Sequence, residues 1–288
     1  MKKFLFLVSL SVATQISAQT PEDALRYSWL MPNGTPRSNA LGGAMGSLGG
    51  DLSATSINPA GLGLYKTNEF YISPNFNSNK NQFNYFGNKT SIDNNNMNLG
   101  IAGVVFADEN RRNKYKKNNF SISYTKLADY NNSFSFKGQN NFSSYLEKFA
   151  DQLYYDGANL TQAQQNYIYG SSLAYLSKLI VPIFDNNKDV TDYQAIAKGN
   201  VNQFYDATTT GSYNEMSFTW ASNTQDKLYL GGSIVLPMIN YSSSLNYTES
   251  YSSNNQGIFD FFENYSSKGF GIGAKLGLIY KPEPFFRM

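Results

Sequence analysis

Alternate residues from Lys268 to Tyr280 divide by polarity, and this period of two constrains the chain more than any other feature. Phe270, Ile272, Ala274, Leu276, Leu278 and Tyr280 fall on one side. Gly271, Gly273, Lys275 and Gly277 fall on the other. Successive side chains of a strand point to opposite faces, so the segment reads as a strand with one greasy and one small or charged face. An apolar face ending in an aromatic is the pattern of a strand facing lipid, with a wet lumen behind it. Four further segments alternate in the same way. Phe120, Ile122 and Tyr124 oppose Ser121, Ser123 and Thr125; Phe134 and Phe136 oppose Ser133, Ser135 and Lys137. Met216, Phe218 and Trp220 oppose Glu215, Ser217 and Thr219; Leu228, Leu230, Ile234 and Leu236 oppose Tyr229, Gly231 and Ser233. Any one of these could be a strand of a soluble sandwich. Five together predict an all-β fold, a transmembrane antiparallel β-barrel of which about eight strands are complete by Tyr280.

The first residues predict export. Lys2 and Lys3 precede the apolar run Phe4–Val12, and Ile16-Ser17-Ala18 offers a small residue for cleavage, so residues 1–18 read as a signal peptide. The alternative, a membrane anchor helix, needs about 20 apolar residues. Aromatic residues make up 16% of the chain and charged residues only 15%, less than the share of about 25% usual in soluble domains. The near balance of 23 basic and 21 acidic residues points to no nucleic-acid partner. Cys and His are both absent from the sequence, which removes thiol nucleophiles, imidazole bases and the commonest metal ligands. No catalytic residue, metal or cofactor is therefore predicted, and a Ser-His or Asp-His pair cannot form from these residues.

Residues 19–67 are not strand-like. Gly42, Gly43, Gly46, Gly49 and Gly50 crowd together ahead of Ser53-Ala54-Thr55-Ser56 and Asn58-Pro59-Ala60-Gly61-Leu62. Such a segment can pack tightly in a confined space but builds no core alone. A phosphate cradle would have to follow a strand and open a helix, and here strands come only afterwards. From residue 68 to 288 the strands are separated by connections of two kinds. Asn131-Asn132, Asn223–Gln225 and Lys281-Pro282-Glu283-Pro284 are short, as periplasmic turns of outer-membrane barrels are; insertions near 142–212 and 240–267 are long, as external loops are. On that count the basic run Arg111–Lys117 falls in an external turn, either solvated or against lipopolysaccharide phosphates. The first insertion carries Leu146, Phe149, Ala150 and Leu153 at helical spacing, and Thr161 with Gln164 fits a capping box. The second carries Ile258-Phe259-Asp260-Phe261-Phe262. Phe285-Phe286-Arg287-Met288 reads as the start of a further strand, so the chain is expected to be the front portion of a longer barrel.

The order of these features resembles the opening of the FadL-type outer-membrane transport family: Ser38-Asn39-Ala40-Leu41-Gly42-Gly43-Ala44-Met45-Gly46, then Ser53-Ala54-Thr55-Ser56, then Asn58-Pro59-Ala60-Gly61-Leu62. The resemblance covers the first 70 residues; beyond them only strand rhythm and loop character agree. It implies a 14-stranded barrel whose N-terminal segment, with Asn58, Pro59, Ala60 and Gly61 as its motif, plugs the lumen as a hatch. It also implies passive uptake of hydrophobic compounds such as long-chain fatty acids. A related branch with a similar opening serves as an accessory of protein secretion, and an adhesion role without transport is a further alternative. On the transport reading, Leu146, Phe149, Leu153, Phe259 and Phe262 line a ligand groove, and Lys137 or Lys275 meets a ligand carboxylate. The plainer readings are that the apolar side chains only pack the loops together and that the lysines join a lumen charge network with partners such as Glu215. The expected surroundings are outer-membrane lipid, lipopolysaccharide and the barrel-assembly machinery, around a monomer.

Overall fold

The computed structural model describes residues 21–30, 33–108, 116–254, 256–283 and 285–288. The expected signal peptide and Arg111–Tyr115 lie outside them. The fold is predominantly β. Eight strands form one antiparallel sheet: β1 (Glu69–Tyr85), β2 (Asn88–Phe106), β3 (Lys116–Asp129), β4 (Asn132–Asn140), β7 (Val201–Thr224), β8 (Leu228–Tyr251), β9 (Gly257–Phe270) and β10 (Gly273–Tyr280). A separate hairpin joins β5 (Ile180–Phe184) to β6 (Val190–Ala195).

The eight strands make only six traverses. β3 and β4 lie end to end along one edge of β7, with Lys116 opposite Thr224, Asp129 opposite Ser212, Asn132 opposite Thr209 and Asn140 opposite Val201. Asn131-Asn132 is therefore a kink in one path rather than the expected reversal. Its backbone is held by Tyr130 N–H donating to Gly211 O at 3.0 Å and by Thr209 Oγ1 donating to Tyr130 O at 2.6 Å. β9 and β10 share the far edge of β8 in the same manner, broken at Gly271-Ile272. Among the described residues β1 and the β9–β10 path do not pair with each other, so the sheet is open.

Two turns explain how this sheet reverses. Phe86 and Gly87 have φ of 46° and 83°, giving the two-residue turn whose twist suits a hairpin. Gln225 and Asp226 at φ 56° and 55° turn β7 into β8. The ends of β2 and β3 that flank the basic run lie at the same end of the sheet as this turn. The flanking strand ends thus stand away from the insertion, whereas the count of reversals predicted from the sequence puts them beside it; Arg111–Tyr115 themselves lie outside the described residues.

Both expected long insertions also shrink. Val201 onward belongs to β7, which leaves residues 141–200 as the insertion. Residues 240–267 are paired strand, Tyr241 opposite Ser267 and Glu249 opposite Phe259, with only a short tip between. These stretches were missed because Ser, Asn and Thr replace the apolar residues that mark alternation. β7 and β8 each run 24 residues, which at about 3.3 Å per residue is on the order of 80 Å of strand.

The N-terminal segment comprises α1 (Pro21–Ser28), α2 (Pro36–Ala40), α3 (Ala54–Ile57) and a 3-10 turn at Pro59–Leu64. It lies on one face of the sheet. Leu52, Leu62 and Tyr65 bury against Ile101, Val105 and Ala221; Ala60 buries against Tyr229 and Ile279. The insertion holds α4 (Tyr145–Tyr155), α5 (Leu160–Gln165) and α6 (Ser171–Leu176). The predicted stripe is the buried face of α4, and Ser144 caps it in a box with Glu147. The second capping box is Asn159 with Gln162, two residues before the expected pair.

Candidate functional site

The lower half of the sheet buries its polar side chains and exposes its apolar ones. Ser121, Ser123, Thr125, Glu215, Ser217, Thr219 and Ser233 are buried beneath the N-terminal segment. On the same strands Phe120, Met216, Trp220, Leu230 and Ile234 are exposed, and on β10 Leu276 is 90% exposed. Phe70, Ile72, Phe76 and Met97 extend this face across β1 and β2. The apolar face has a definite height. On β8 it spans Leu228 to Met238 and on the paired edge Phe270 to Tyr280, about the 9–11 residues that cross a bilayer as a tilted strand. Past Met238 the same face of β8 carries Asn240, Ser242, Ser244, Asn246, Thr248 and Ser250. The unbroken β7–β8 register keeps these residues on that face.

The motif Asn58–Gly61 sits in a notch made by two strand glycines. A Cβ on Gly231 would lie 2.5 Å from Ala60 N, and one on Gly277 would lie 2.0 Å from Asn58 Oδ1. Asn58 locks the seat: its Oδ1 accepts from Ala60 N–H at 3.1 Å, while Nδ2 donates to Gly46 O at 2.7 Å and Leu278 O at 3.1 Å. Asn119 Nδ2 donates to the carbonyls of Leu62 and Tyr65, satisfying the end of the 3-10 turn. Lys275 Nζ donates to Glu215 Oε1 at 2.5 Å and to Ser56 O at 3.0 Å, so it pairs a nearly buried carboxylate and holds the segment at once. Farther up the same face, the Arg26 guanidinium stacks 4.1 Å above the Tyr241 ring and Tyr265 OH donates to Asp23.

At the other end the insertion roofs the sheet. Leu146, Phe149 and Leu153 pack with Ile180 and Tyr193 in a closed cluster, and Phe259 and Phe261 pack against it. Phe149 is only 6% exposed, whereas Phe262 is 67% exposed and points to the opposite face. Four of the five expected groove residues thus come together, and Phe261 stands where Phe262 was expected. Lys137 also faces away from its expected side. The bulge between Lys126 and Ala128 shifts the register by one residue, which exchanges the faces of everything after it. Phe134 and Phe136 therefore turn inward and Lys137 outward; Phe136 stacks on Tyr205 with centroids 4.8 Å apart.

Sequence reading missed the centre of this end, Glu249. Its fully buried carboxylate accepts from Ser144 Oγ at 2.5 Å, Tyr145 N–H at 2.7 Å, Gln203 Nε2 at 2.7 Å and Tyr247 OH at 2.6 Å. A carboxylate at the start of α4 also meets the positive end of the helix. Burial, and then the bond to Glu249, push the Tyr247 phenol well above its ordinary range. The only clue in the sequence was a lone acid among Tyr and Ser. Beside this network opens a cavity of about 750 Å³, lined by Tyr85, Phe136, Tyr145, Tyr205 and Tyr247, with Glu147, Lys148 and Asp151 among its polar residues. Among the described residues no cluster of acids that could hold a metal is present, and no helix is long and apolar enough to cross a membrane.

No protein-family model, no curated protein and no solved structure matches this chain. What its own geometry defines is a two-faced antiparallel sheet with an apolar band on one side and a seated glycine-rich segment on the other.

Proposed function

We propose that this chain forms part of the wall of an outer-membrane β-barrel, plugged by its N-terminal segment, and that the barrel admits hydrophobic compounds such as long-chain fatty acids. The observation that carries the reading is the inverted burial. Exposed Phe70, Trp220, Ile272 and Leu276 form a band one bilayer high, opposite a face of buried Ser, Thr, Glu and Lys. In water such a band would be a large aggregation surface; in lipid it is the solvated side. The seat of Asn58–Gly61 against Gly231 and Gly277 suits a plug, and the resemblance of that segment to the FadL-type opening supplies the transport expectation.

One observation favours the second reading, a barrel that acts in secretion or adhesion without transport. Leu146, Phe149 and Leu153 are used up in the core of the insertion and leave no open apolar groove among themselves. Replacing Phe149 by Asp would unfold the insertion rather than test binding. The decisive assay loads the full protein into liposomes and follows entry of labelled laurate. Entry above that into protein-free liposomes supports transport. A protein that stays in carbonate-washed membranes yet passes no laurate is a non-transporting barrel, and one recovered free in the periplasm overturns the membrane reading altogether.

A further inference from the structure

We propose that the cavity beneath the insertion binds a short, uncharged saccharide. Three observations carry this. First, its walls are aromatic: Tyr85, Phe136, Tyr145 and Tyr205 line it, each half-buried, together with the buried Tyr247. The electron-rich face of an aromatic ring attracts the polarised C–H groups on the flat side of a sugar. The rings are held in place from behind, because Glu249 fixes Tyr247 and Gln203 accepts from Tyr85 OH. The cavity falls within the size usual for ligand sites, about 300–1,000 Å³.

Second, the charges of the lining disfavour an anion. Glu147 and Asp151 stand against Lys148, the single basic residue of the lining, whose Nζ already donates to Tyr145 OH at 3.3 Å and lies 5.1 Å from that ring. Carboxylates accept from sugar hydroxyls and repel an acidic ligand. Third, the site stands far from the apolar band. Glu249 lies eleven residues beyond Met238 on β8, which is about 35 Å along the strand. At that height a ligand arrives from water, among hydroxyl-rich surface glycans, rather than from acyl chains. Only this third argument rests on the membrane reading above.

The test uses the full chain in detergent micelles and saturation-transfer NMR. Maltotriose, cellotriose and N,N′,N″-triacetylchitotriose are the neutral probes; trigalacturonate and laurate are the anionic ones. Saturable transfer to at least one neutral trisaccharide and none to trigalacturonate is expected. Tyr205→Leu is expected to weaken binding about tenfold, the worth of one ring contact. Asp151→Asn lies on an exposed rim and cannot unfold the insertion; it is expected to weaken binding measurably, and it decides the case if Tyr205→Leu loosens the fold. Failure of all three neutral probes, binding indifferent to both substitutions, or occupancy by laurate alone overturns the proposal. A protein that binds trisaccharide but washes off membranes sinks the membrane reading and leaves this one standing. An embedded protein that binds none sinks only this one.

Discussion

Gly231 and Gly232 are neighbours on β8, and replacement by alanine should disturb the docked segment at the first and leave it unchanged at the second. A Cβ on Gly231 would stand 2.5 Å from Ala60 N and from Pro59 C, both backbone atoms that cannot swing aside. A Cβ on Gly232, on the other face, would meet nothing closer than Leu276 Cδ2 at 3.6 Å. To reach ordinary van der Waals contact the 3-10 turn would have to lift by about 1 Å from Gly231. Lifting it stretches the bond that ties Asn58 to the sheet, from Nδ2 to Leu278 O, worth about 1 kcal/mol, and opens the contacts by which Ala60 and Leu62 bury against the strands, worth about 2 kcal/mol together. The docked segment should therefore weaken by about 3 kcal/mol, which at 1.4 kcal/mol per decade is roughly a hundredfold in its undocked population. Hydrogen exchange of the Ala60 and Gly61 amides reads that population directly. A rise of about two decades is expected for Gly231→Ala and none for Gly232→Ala. Equal exchange in the two variants would refute the claim that Asn58–Gly61 is seated by the glycine notch.

The other expectations are briefer. Lys275→Met strands the buried Glu215 carboxylate and should cost about 3 kcal/mol, at the lower end for a broken buried pair because Lys275 is partly exposed; heat-modifiability on gels should show earlier unfolding, largely restored by adding Glu215→Gln. Glu249→Gln removes a charged acceptor from four donors and should loosen the roof by about 2 kcal/mol, seen as faster trypsin cleavage within residues 141–200 while the strands stay protected. Leu276→Arg should impair assembly by about 2–4 kcal/mol if that face meets lipid, whereas Ser244→Arg on the same face above the band should be near neutral; equal yields of the two from washed membranes would remove the lipid assignment.

What could be read from the residues depended on whether alternation carried a polarity contrast. Lys268–Tyr280 and Met216–Trp220 were legible because apolar and small or polar residues alternate strictly there. Upper β8, with Ser242-Ser243-Ser244, and the Asn-rich arms of β1 and β2 are equally good strands. Their outer faces carry polar residues where the lower strands carry apolar ones, however, so period two fades to a few inner aromatics such as Tyr241 and Tyr247 and the paired stretch passes for a loop. The α4 stripe was legible for the opposite reason: Leu146, Phe149, Ala150 and Leu153 repeat at helical spacing and are the residues that become buried. The facing of Lys137 was not legible at all, because a single extra residue between Lys126 and Ala128 reverses every later side chain, and a bulge has no compositional mark. Asn58–Gly61 lies between these cases. Its small residues announced close packing, but its partners, Gly231 and Gly277, are more than 160 positions away and read only as weak points in strands. Glu249 shows the same limit at the other end. A fully buried acid is specified by four donors from three separate stretches, Ser144-Tyr145, Gln203 and Tyr247. No local pattern can announce a residue whose reason for being there is assembled by the fold.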